Sequence, residues 1–487
     1  MVSSALHMDP LTQLSATRLA ALIRRREVTS REVVEAHIGH IARCNPTLNA
    51  VVHDRFALAR SEADQADAEV KTRDPETLPP FFGVPCTIKE CLGLAGMRQT
   101  SGLYSRRDRV AEKDGTAVFR LRAAGAIPLG VTNVSELMMW METFNKVYGR
   151  TNNPYDPRRT VGGSSGGEGA IIGAGGSPMG LGADIGGSIR MPAFFSGVFG
   201  HKPSGGLVPG TGHQPMPEND ALRYNSTGPL CRRAEDLLPF LRAVAGPDGE
   251  DRGCREMAIG DPETVKLDEL TVYDVEDNGV VRVSSELKAR QREVAAHLGS
   301  LGARVERLTI DGFRRSLEIW SAMMDAAAET RFSELLGDGR PLHPGRELLR
   351  FFGGRSSHTL PALGLALFER LPALMPERAR RSVALGRALK LELEARLGPR
   401  GVILYPPYPE TAPRHYRALV PPFNWQYTAI FNVLEFPVTA APLGLSARGL
   451  PLGVQIASVP GNDHVTIAVA LELERRFGGW VPPERWS

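Results

Sequence analysis

The sequence has few cysteines and no pairing among them that would indicate a disulfide framework. Only five of the 487 residues are cysteine, and no two have C-x-x-C spacing: Cys44, Cys86, Cys91, Cys231 and Cys254. An odd number of cysteines without any C-x-x-C pair argues against paired disulfides and against a structural zinc site. We therefore expect no metal site and a reducing, cytoplasmic location.

Long uninterrupted hydrophobic runs are also missing. The apolar window that starts at Tyr427, YTAIFNVLEFPVTAAPLGLSA, contains Glu435, Pro437 and Pro442. A membrane-spanning helix needs roughly 20 consecutive apolar residues. The N-terminus lacks the basic region and apolar core of a signal peptide. These absences predict a soluble protein without an integral membrane anchor.

The net charge of the chain is also small. Lysine plus arginine number 58 and aspartate plus glutamate 55, which leaves a formal charge of +3. The densest basic cluster, Arg24 to Arg26, is typical of a solvated helix face. Such a weak field does not favour nucleic-acid binding, so we expect a small-molecule partner and a monomer or homodimer.

Four zones follow one another along the chain. Residues up to about 45 have helical spacing, and residues 49–210 alternate short apolar runs with Gly and Pro punctuation. Residues 251–398 are more charged and helical, and about ninety C-terminal residues return to short strands. This order predicts an α/β fold with strands buried under helices. With no linker in sight, we expect one domain over residues 1–487 and one sheet assembled from distant parts.

Helix boundaries can be predicted at four points. Thr29 and Glu32 form a capping box ahead of a helical repeat, and that helix is expected to end at Asn45-Pro46. The segment PERARRSVALGRALKLELEARLG is a helix with Pro376 near its start and Gly398 at its end.

The stretch from Thr160 to Arg190 contains twelve glycines. A flexible linker would not carry the apolar residues Ile171, Ile172, Met179, Leu181 and Ile185. A phosphate cradle is disfavoured because neither G-x-x-x-x-G-K-[ST] nor a well-placed G-x-G-x-x-G is present. The remaining interpretation is a nucleophile site.

Two serines in this stretch are candidate nucleophiles. Ser164 lies in GGSSG, which matches the G-x-S-x-G turn of α/β-hydrolases and would need a downstream histidine such as His201, His213, His343, His358, His415 or His464. Ser188 lies in DIGGSIR, where two glycines let several backbone N–H groups converge on an oxyanion. The residues alone leave both open.

A serine nucleophile needs a base, and Lys89 is the strongest candidate. It directly follows the apolar strand candidate in GVPCTIKE. Burial there would lower its pKa from about 10.4 toward neutrality. The alternative is that Lys89 extends to solvent or pairs with Glu90.

Together these motifs resemble the amidase signature family. The match runs from about residue 83 to 203 through GVPCTIKE, GGSSGGEGA and GADIGGSIRMPAFFSGVFGHKPS. The resemblance implies one large twisted mixed β-sheet with helices on both faces, and no cofactor. It implies a triad with Lys89 as base, Ser164 as a bridging serine after a cis peptide bond, and Ser188 as the acylated nucleophile.

The same resemblance assigns the surrounding residues. The implied oxyanion donors are the backbone groups of Ile185, Gly186, Gly187 and Ser188, and the implied supporting residues are Ser165, Asp184 and Arg190. NNPYD, LPLGVQIA and RRFGGWV extend the likeness to the fatty-acid amide hydrolases, especially the second type. The implied reaction is cleavage of amides, and also of esters and carbamates, with hydrophobic or aryl groups.

Substrate preference is expected to depend on residues outside the triad. Met138, Met139 and Trp140 are soft and aromatic side chains of the kind that line apolar pockets, although ordinary core packing is an equal alternative. A helical, substrate-shaping insertion is expected over about 310–398, and its segment 351–375 is a pocket lid, a surface-docking cap or ordered core.

Three other functions remain open. An amidotransferase subunit of the same family would share the triad but need partner subunits. An α/β-hydrolase-type esterase would use Ser164 as nucleophile. A non-catalytic glycine-loop binding protein would have no reactive serine.

Overall fold

The structure, a computed structural model, describes residues 8–369 and 375–486. Its strands are β1 (Val51–Asp54), β2 (Pro85–Lys89), β3 (Ile127–Thr132), β4 (Phe144–Asn145), β5 (Gly149–Arg150), β6 (Met179–Asp184), β7 (Phe199–Lys202), β8 (Ser226–Cys231), β9 (Thr271–Asp274), β10 (Arg304–Arg307), β11 (Gly401–Tyr405), β12 (Val438–Leu445) and β13 (Pro451–Ala457).

Its helices are α1 (Ala16–Arg24), α2 (Ser30–Leu48), α3 (Phe56–Glu69), α4 (Thr116–Ala123), α5 (Gly166–Gly173), α6 (Arg190–Phe195), α7 (Ala221–Tyr224), α8 (Leu237–Val244), α9 (Ser285–Ser300), α10 (Ser316–Ala327), α11 (Phe332–Leu336), α12 (Pro344–Phe352), α13 (Leu360–Phe368), α14 (Pro376–Leu397), α15 (Gln426–Val433) and α16 (Asp463–Phe477).

Within the described residues, eleven strands form one sheet in the order β1-β3-β2-β6-β8-β7-β12-β13-β11-β9-β10, and β4 pairs with β5 separately. The sheet is mixed: β3, β2 and β6 are parallel, as are β11, β9 and β10, while the strands between them run antiparallel. The predicted α/β fold with a mixed sheet is confirmed.

Helices cover both faces of the sheet. Successive residues of a strand point to opposite faces, and in β11 Val402 and Leu404 enter one apolar cluster while Ile403 and Tyr405 enter another. The first cluster includes residues of α1, α4, α8, α9 and α16, and the second includes residues of α10, α14 and α15. The strands are therefore buried on both sides.

One sheet is indeed assembled from distant parts of the chain. The N-terminal and C-terminal strands meet where β7 pairs with β12, with Lys202 opposite Val438. The zone predicted to be helical also contributes β9 and β10, which the sequence did not indicate. These strands have four residues each, and β10 contains two arginines and a glutamate.

Three of the four predicted helix boundaries are confirmed, including the start of α14 at Pro376, and one is wrong. Thr29 and Glu32 form the capping box of α2, and Gly398 follows the last residue of α14. Helix α2, however, continues through Pro46 to Leu48. Proline lies in the last turn there, and the Asn45 amide oxygen accepts from Ala50 and Val51 just beyond the helix.

The region 310–398 consists mainly of α10 to α14. Helix α13 packs on a small apolar cluster with Leu103 and Leu137, whereas α12 leaves Leu349 and Phe352 exposed. The buried carboxylate of Glu136 accepts from Thr359 N at 2.7 Å and lies 2.8 Å from His358 Nδ1. The described part of segment 351–375 is therefore joined to Glu136 by these contacts. Residues 370–374 of the segment, and residues 1–7 at the N-terminus, lie outside the described residues.

Across residues 8–369 and 375–486, no helix has both the length and the apolar character needed to cross a membrane.

Candidate active site

The candidate site lies where two parallel strands end side by side. Strand β2 ends at Lys89 and β6 ends at Asp184, and Ile88 is paired with Leu181. Parallel strands present their carboxyl ends at one edge of a sheet, so Lys89 and the turn after Asp184 meet there. Helix α5, which follows Ser165, packs against both strands.

Lys89 contacts Ser164 directly. Its Nζ lies 2.8 Å from Ser164 Oγ and donates to Ala183 O at 3.0 Å. Burial lowers the pKa of Lys89 below its usual value, and the nearby Cys91, Asp184 and Glu168 oppose this only in part. A buried amine with a lowered pKa can accept the proton of the adjacent hydroxyl.

The peptide bond between Gly163 and Ser164 is cis. A Cβ atom on Gly163 would lie 2.6 Å from Trp140 O, 3.0 Å from the Met141 carbonyl carbon and 3.1 Å from Glu142 N. The segment 140–142 therefore packs directly on the backbone that presents Ser164, and only glycine leaves room for it.

Ser188 sits on the turn between β6 and α6. Its carbonyl accepts from Ser165 N at 3.2 Å, which joins the two serine segments, and Ser165 Oγ donates to Ala183 O at 3.2 Å. Ser188 is 7% exposed, whereas Ser164 is fully buried and Lys89 is 1% exposed. Among the described residues, no hydrogen bond joins Ser188 Oγ to Ser164. The structure thus brings Lys89 and Ser164 together and places Ser188 on the neighbouring turn.

Asp184 and Arg190 hold this turn in shape. The Asp184 carboxylate accepts from Gly187 N at 2.7 Å and Ile189 N at 3.0 Å, and it forms a two-pronged ion pair with the buried Arg190 guanidinium. Burial alone would raise the pKa of Asp184, but the Arg190 charge and its hydrogen bonds hold that pKa well below its usual range. The carboxylate therefore stays ionised and acts as a fixed acceptor inside the turn.

The predicted oxyanion donors are not equivalent. The Gly187 N–H is already bonded to Asp184. The N–H groups of Ile185, Gly186 and Ser188 donate to no other residue in the described part of the chain. These three remain available to an oxygen atom bound at the turn.

Sequence reasoning missed three side chains that contact the turn from the far end of the chain. Trp320 on α10 and Thr428 and Asn432 on α15 donate to the backbone carbonyls of Ile185, Gly186 and Asp184. Each lies more than 130 residues from the turn in sequence. No local pattern links such positions, so the sequence carried no signal for them.

Glu168 is a further buried group that sequence reasoning did not single out. It lies on α5, and its two carboxylate oxygens accept from Thr87 Oγ1 at 2.6 Å and Thr132 Oγ1 at 2.7 Å. Burial raises the pKa of Glu168 to about 7, against the opposing effect of the two hydroxyls and of Lys89. A carboxyl that titrates near neutrality thus lies close to the candidate base.

A second buried lysine, Lys202, does not serve the same purpose. Its Nζ donates to Pro203 O at 2.7 Å and Ser226 Oγ at 3.3 Å. Burial and the Arg190 charge lower the pKa of Lys202 to about 7. Its contacts are with the strand ends rather than with Ser164 or Ser188.

The predicted substrate-binding residues fall into two groups. Met138 is buried in the main apolar cluster, whereas Met139 and Trp140 are partly buried against the cluster that includes α10 and α15. Trp320 and Trp425 form an edge-to-face pair with ring centroids 4.7 Å apart. Both rings border Gly186, whose Cβ position is 3.7 Å from each. Aromatic surface therefore faces the turn that carries Ser188.

The downstream histidines form no hydrogen bond with either serine within residues 8–369 and 375–486. His201 lies 2.9 Å from Thr439 Oγ1 and 3.1 Å from an Asp463 oxygen, and His213 lies 3.5 Å from Cys91 Sγ and 2.8 Å from Pro215 O. Burial, aided by Lys89, lowers the pKa of His213 to about 4. In the described part of the chain, no histidine is hydrogen-bonded to Ser164 or Ser188.

No group of three or more His, Cys, Asp or Glu side chains suited to a metal ion occurs in residues 8–369 and 375–486. All five cysteines are free thiols.

Comparisons with known proteins give a consistent result. A family model described as Amidase matches residues 32–467. Fatty-acid amide hydrolase 2 of Homo sapiens is 45% identical, over 98% of this chain and 92% of its own length. A glutamyl-tRNA(Gln) amidotransferase subunit of Prochlorococcus marinus is 27% identical, over 92% of this chain and 94% of its own.

A solved structure supports the same grouping. The 6-aminohexanoate cyclic dimer hydrolase in complex with its substrate has a TM-score of 0.82 and 26% sequence identity. The similarity covers 98% of this chain and all of that one. The likeness thus extends over the whole sheet and its helices, beyond the serine-containing motifs.

Proposed function

The chain belongs to the amidase family of hydrolases acting on amides, and from this membership we propose a serine amidase that works through Lys89, Ser164 and Ser188. The observation that carries the proposal is the 2.8 Å contact between the buried Lys89 amine and Ser164 Oγ, beside the turn that presents Ser188. The resemblance to fatty-acid amide hydrolase 2 supports the same assignment.

The first half-reaction forms an acyl-enzyme. Neutral Lys89 takes the proton of Ser164 as Ser164 takes the proton of Ser188, and Ser188 Oγ adds to the substrate carbonyl carbon. The carbonyl oxygen becomes an oxyanion that accepts from the free N–H groups of Ile185, Gly186 and Ser188. Each such donor contributes about 100-fold to 1000-fold in kcat in related sites.

The leaving group departs with the relayed proton. The tetrahedral intermediate collapses, the C–N bond breaks, and the proton held by Lys89 returns through Ser164 to the amine nitrogen. Water then adds to the acyl carbon of Ser188, gives one proton to the same relay, and releases the acid as Ser188 regains its proton. Atoms and charges balance without a cofactor.

The substrate class we propose is an amide with a hydrophobic or aryl group. The edge-to-face pair of Trp320 and Trp425 beside Gly186 supports an aryl or compact apolar group next to the reacting carbonyl. Met138, Met139 and Trp140 are proposed as further pocket residues. Because the reaction needs only an acyl or carbamoyl centre, the proposed substrates include esters and carbamates. The enzyme itself is proposed to be a cytoplasmic monomer or homodimer.

An amidotransferase subunit is the second candidate, because relatives with that name span most of the chain. Hydrolysis of simple amides by the purified single chain would argue against a need for partner subunits. An α/β-hydrolase-type esterase is disfavoured by the contacts of the histidines, none of which reaches Ser164 in the part of the chain that the structure describes.

The proposal is tested by labelling with a fluorophosphonate and by kinetics on p-nitroanilides, esters and carbamates of increasing acyl size. We expect mass spectrometry to locate the label on Ser188, and Ser188→Ala to abolish both labelling and turnover. Lys89→Ala should slow acylation by about 1000-fold or more. His213→Gln is the matched control, since it removes a buried ionisable group that is close to Lys89 without contacting either serine.

Two outcomes would overturn the proposal. One is a label on another serine, or turnover that survives Ser188→Ala. The other is an equal loss in Lys89→Ala and His213→Gln, which would indicate a histidine-based triad.

A further inference from the structure

Three successive backbone carbonyls at the turn after β6 accept hydrogen bonds from side chains of α10 and α15. Asn432 Nδ2 donates to Asp184 O at 2.8 Å, Trp320 Nε1 donates to Ile185 O at 2.9 Å, and Thr428 Oγ1 donates to Gly186 O at 2.7 Å.

A hydrogen bond to one end of a peptide unit also orients its other end. The peptide group is planar, and in the trans form its C=O and N–H point in opposite directions. The bond from Trp320 to Ile185 O therefore sets the direction of the Gly186 N–H. That N–H is one of the three that remain free for an oxyanion, whereas the peptide held by Thr428 directs the Gly187 N–H to Asp184.

Trp320 is better suited to this task than Thr428. The indole has one N–H, and it has a single acceptor at the turn. The Thr428 hydroxyl has one proton to share between Gly186 O at 2.7 Å and Trp425 O at 2.8 Å. Trp320 is only 8% exposed and packs edge-to-face on Trp425, so its ring orientation is fixed by its neighbours.

We propose that Trp320 is a positioning residue that aims the Gly186 N–H at the oxyanion through the Ile185 carbonyl. The inference rests on the proposed function, because it assumes that the oxyanion forms at this turn. Trp320 does not touch the reacting atoms through its N–H. Its contribution acts on the transition state, where the carbonyl oxygen carries the charge, and only weakly on substrate binding.

The test replaces Trp320 by Phe, which keeps an aromatic ring and removes the N–H donor. With a p-nitroanilide substrate we expect kcat to fall by about 5- to 20-fold while KM changes by less than about threefold, as for the loss of one orienting hydrogen bond. Trp425→Phe is the matched control. Its indole donates to Pro422 O rather than to the turn, so its effect should appear in KM.

A second readout separates orientation from simple packing. Ser188 Oγ adds to the carbonyl carbon of an aryl trifluoromethyl ketone, and the resulting oxyanion mimics the transition state. The inhibition constant of this ketone should rise in Trp320→Phe by the same factor as kcat/KM falls. In Trp425→Phe it should rise only as far as KM does, because the inhibitor carries the same aryl group as the substrate. If Trp320→Phe does not fold by circular dichroism, benzothienylalanine at position 320 keeps the bicyclic shape and still removes the N–H.

The outcomes distinguish this inference from the proposed function. If Ser188→Ala abolishes turnover but both replacements at position 320 leave kcat and the inhibition constant unchanged, the positioning role is wrong and the triad stands. A loss confined to KM would also overturn it. If Ser188→Ala remains active, the proposed function itself fails.

Discussion

Lys89 and Glu168 are buried ionisable groups that influence each other's protonation. Burial lowers the pKa of Lys89 and raises the pKa of Glu168 to about 7, while the attraction between the two charges acts in the opposite direction on each. In the proposed mechanism activity needs neutral Lys89, so kcat/KM should fall as the pH drops through the lysine pKa. The charge of Glu168 therefore helps to set the acid limb of the pH profile.

Glu168→Gln tests this coupling. Removing the negative charge takes away an influence that raises the pKa of Lys89, so that pKa should fall. The acid limb of kcat/KM should consequently move to lower pH, with the plateau little changed. The measurement is a pH profile of kcat/KM for a p-nitroanilide.

The control for this prediction is Glu90→Gln. Glu90 is also fully buried and adjacent to Lys89 in sequence, but its carboxylate accepts from Thr100, Ser101 and Tyr148. The charges that raise the pKa of Lys89 are those of Cys91, Asp184 and Glu168. Its replacement can cost stability but should leave the acid limb in place. An unshifted limb in Glu168→Gln, or equal shifts in both variants, would contradict the coupling.

At the scale of single residues, the sequence was sufficient to predict those residues that lie in a recognisable local pattern or motif. Lys89 follows an apolar run, and it is the last residue of a buried strand, as expected. The serines lie in glycine-rich motifs that are recognisable by themselves. Trp320 and Asn432 could not be found in this way, because their partners on the turn are brought to them only by the packing of α10 and α15.

At the scale of elements, the turn between β6 and α6 depends on two glycines with different surroundings. Gly187 has a φ of +115°, and a Cβ atom there would lie 2.0 Å from Thr428 Oγ1. A Cβ atom on Gly186 would have no neighbour closer than 3.7 Å among the described residues. The first position excludes a side chain, and the second has room for a methyl group.

We therefore expect Gly187→Ala to destabilise the protein by more than about 2 kcal/mol and to slow acylation, because alanine is strained at this φ and displaces Thr428. Gly186→Ala should fold with an unfolding midpoint close to that of the wild type. Thermal unfolding and the rate of fluorophosphonate labelling measure the two effects. The interpretation would be wrong if the two variants had the same midpoint and the same labelling rate.

Element prediction failed where strands are short and polar. Strands such as β2, β3 and β11 are apolar runs with Gly or Pro at their ends, and they lie in the two zones for which short strands are expected. β10 is an edge strand, with no neighbouring strand on one side within the described ranges, whereas β9 lies between β11 and β10 and is only four residues long. Edge strands need less apolar character, so their sequences resemble the charged helical region around them.

At the scale of the whole molecule, the sheet joins the two ends of the chain into one unit. β7 pairs with β12, and Asp463 at the start of α16 accepts from Ser204 N at 2.9 Å and lies 3.1 Å from His201 Nε2. Near the C-terminus, Trp480 Nε1 donates to Gly173 O at 2.9 Å, at the end of the helix that follows Ser164 and Ser165. The C-terminal region therefore holds the far end of this helix.

This connectivity predicts that the chain unfolds as one cooperative unit. Asp463→Asn removes charge-assisted hydrogen bonds at the junction of the two halves, which should lower the thermal midpoint by about 2 to 5 °C. Far-UV circular dichroism and tryptophan fluorescence should report the same midpoint and the same shift. The surface control Asp64→Asn, whose side chain is 59% exposed and pairs with Arg31, should shift it by less. Two separate transitions, or a shift seen by one probe only, would show that residues 310–398 or one end of the sheet unfold independently and that the single-domain prediction is wrong.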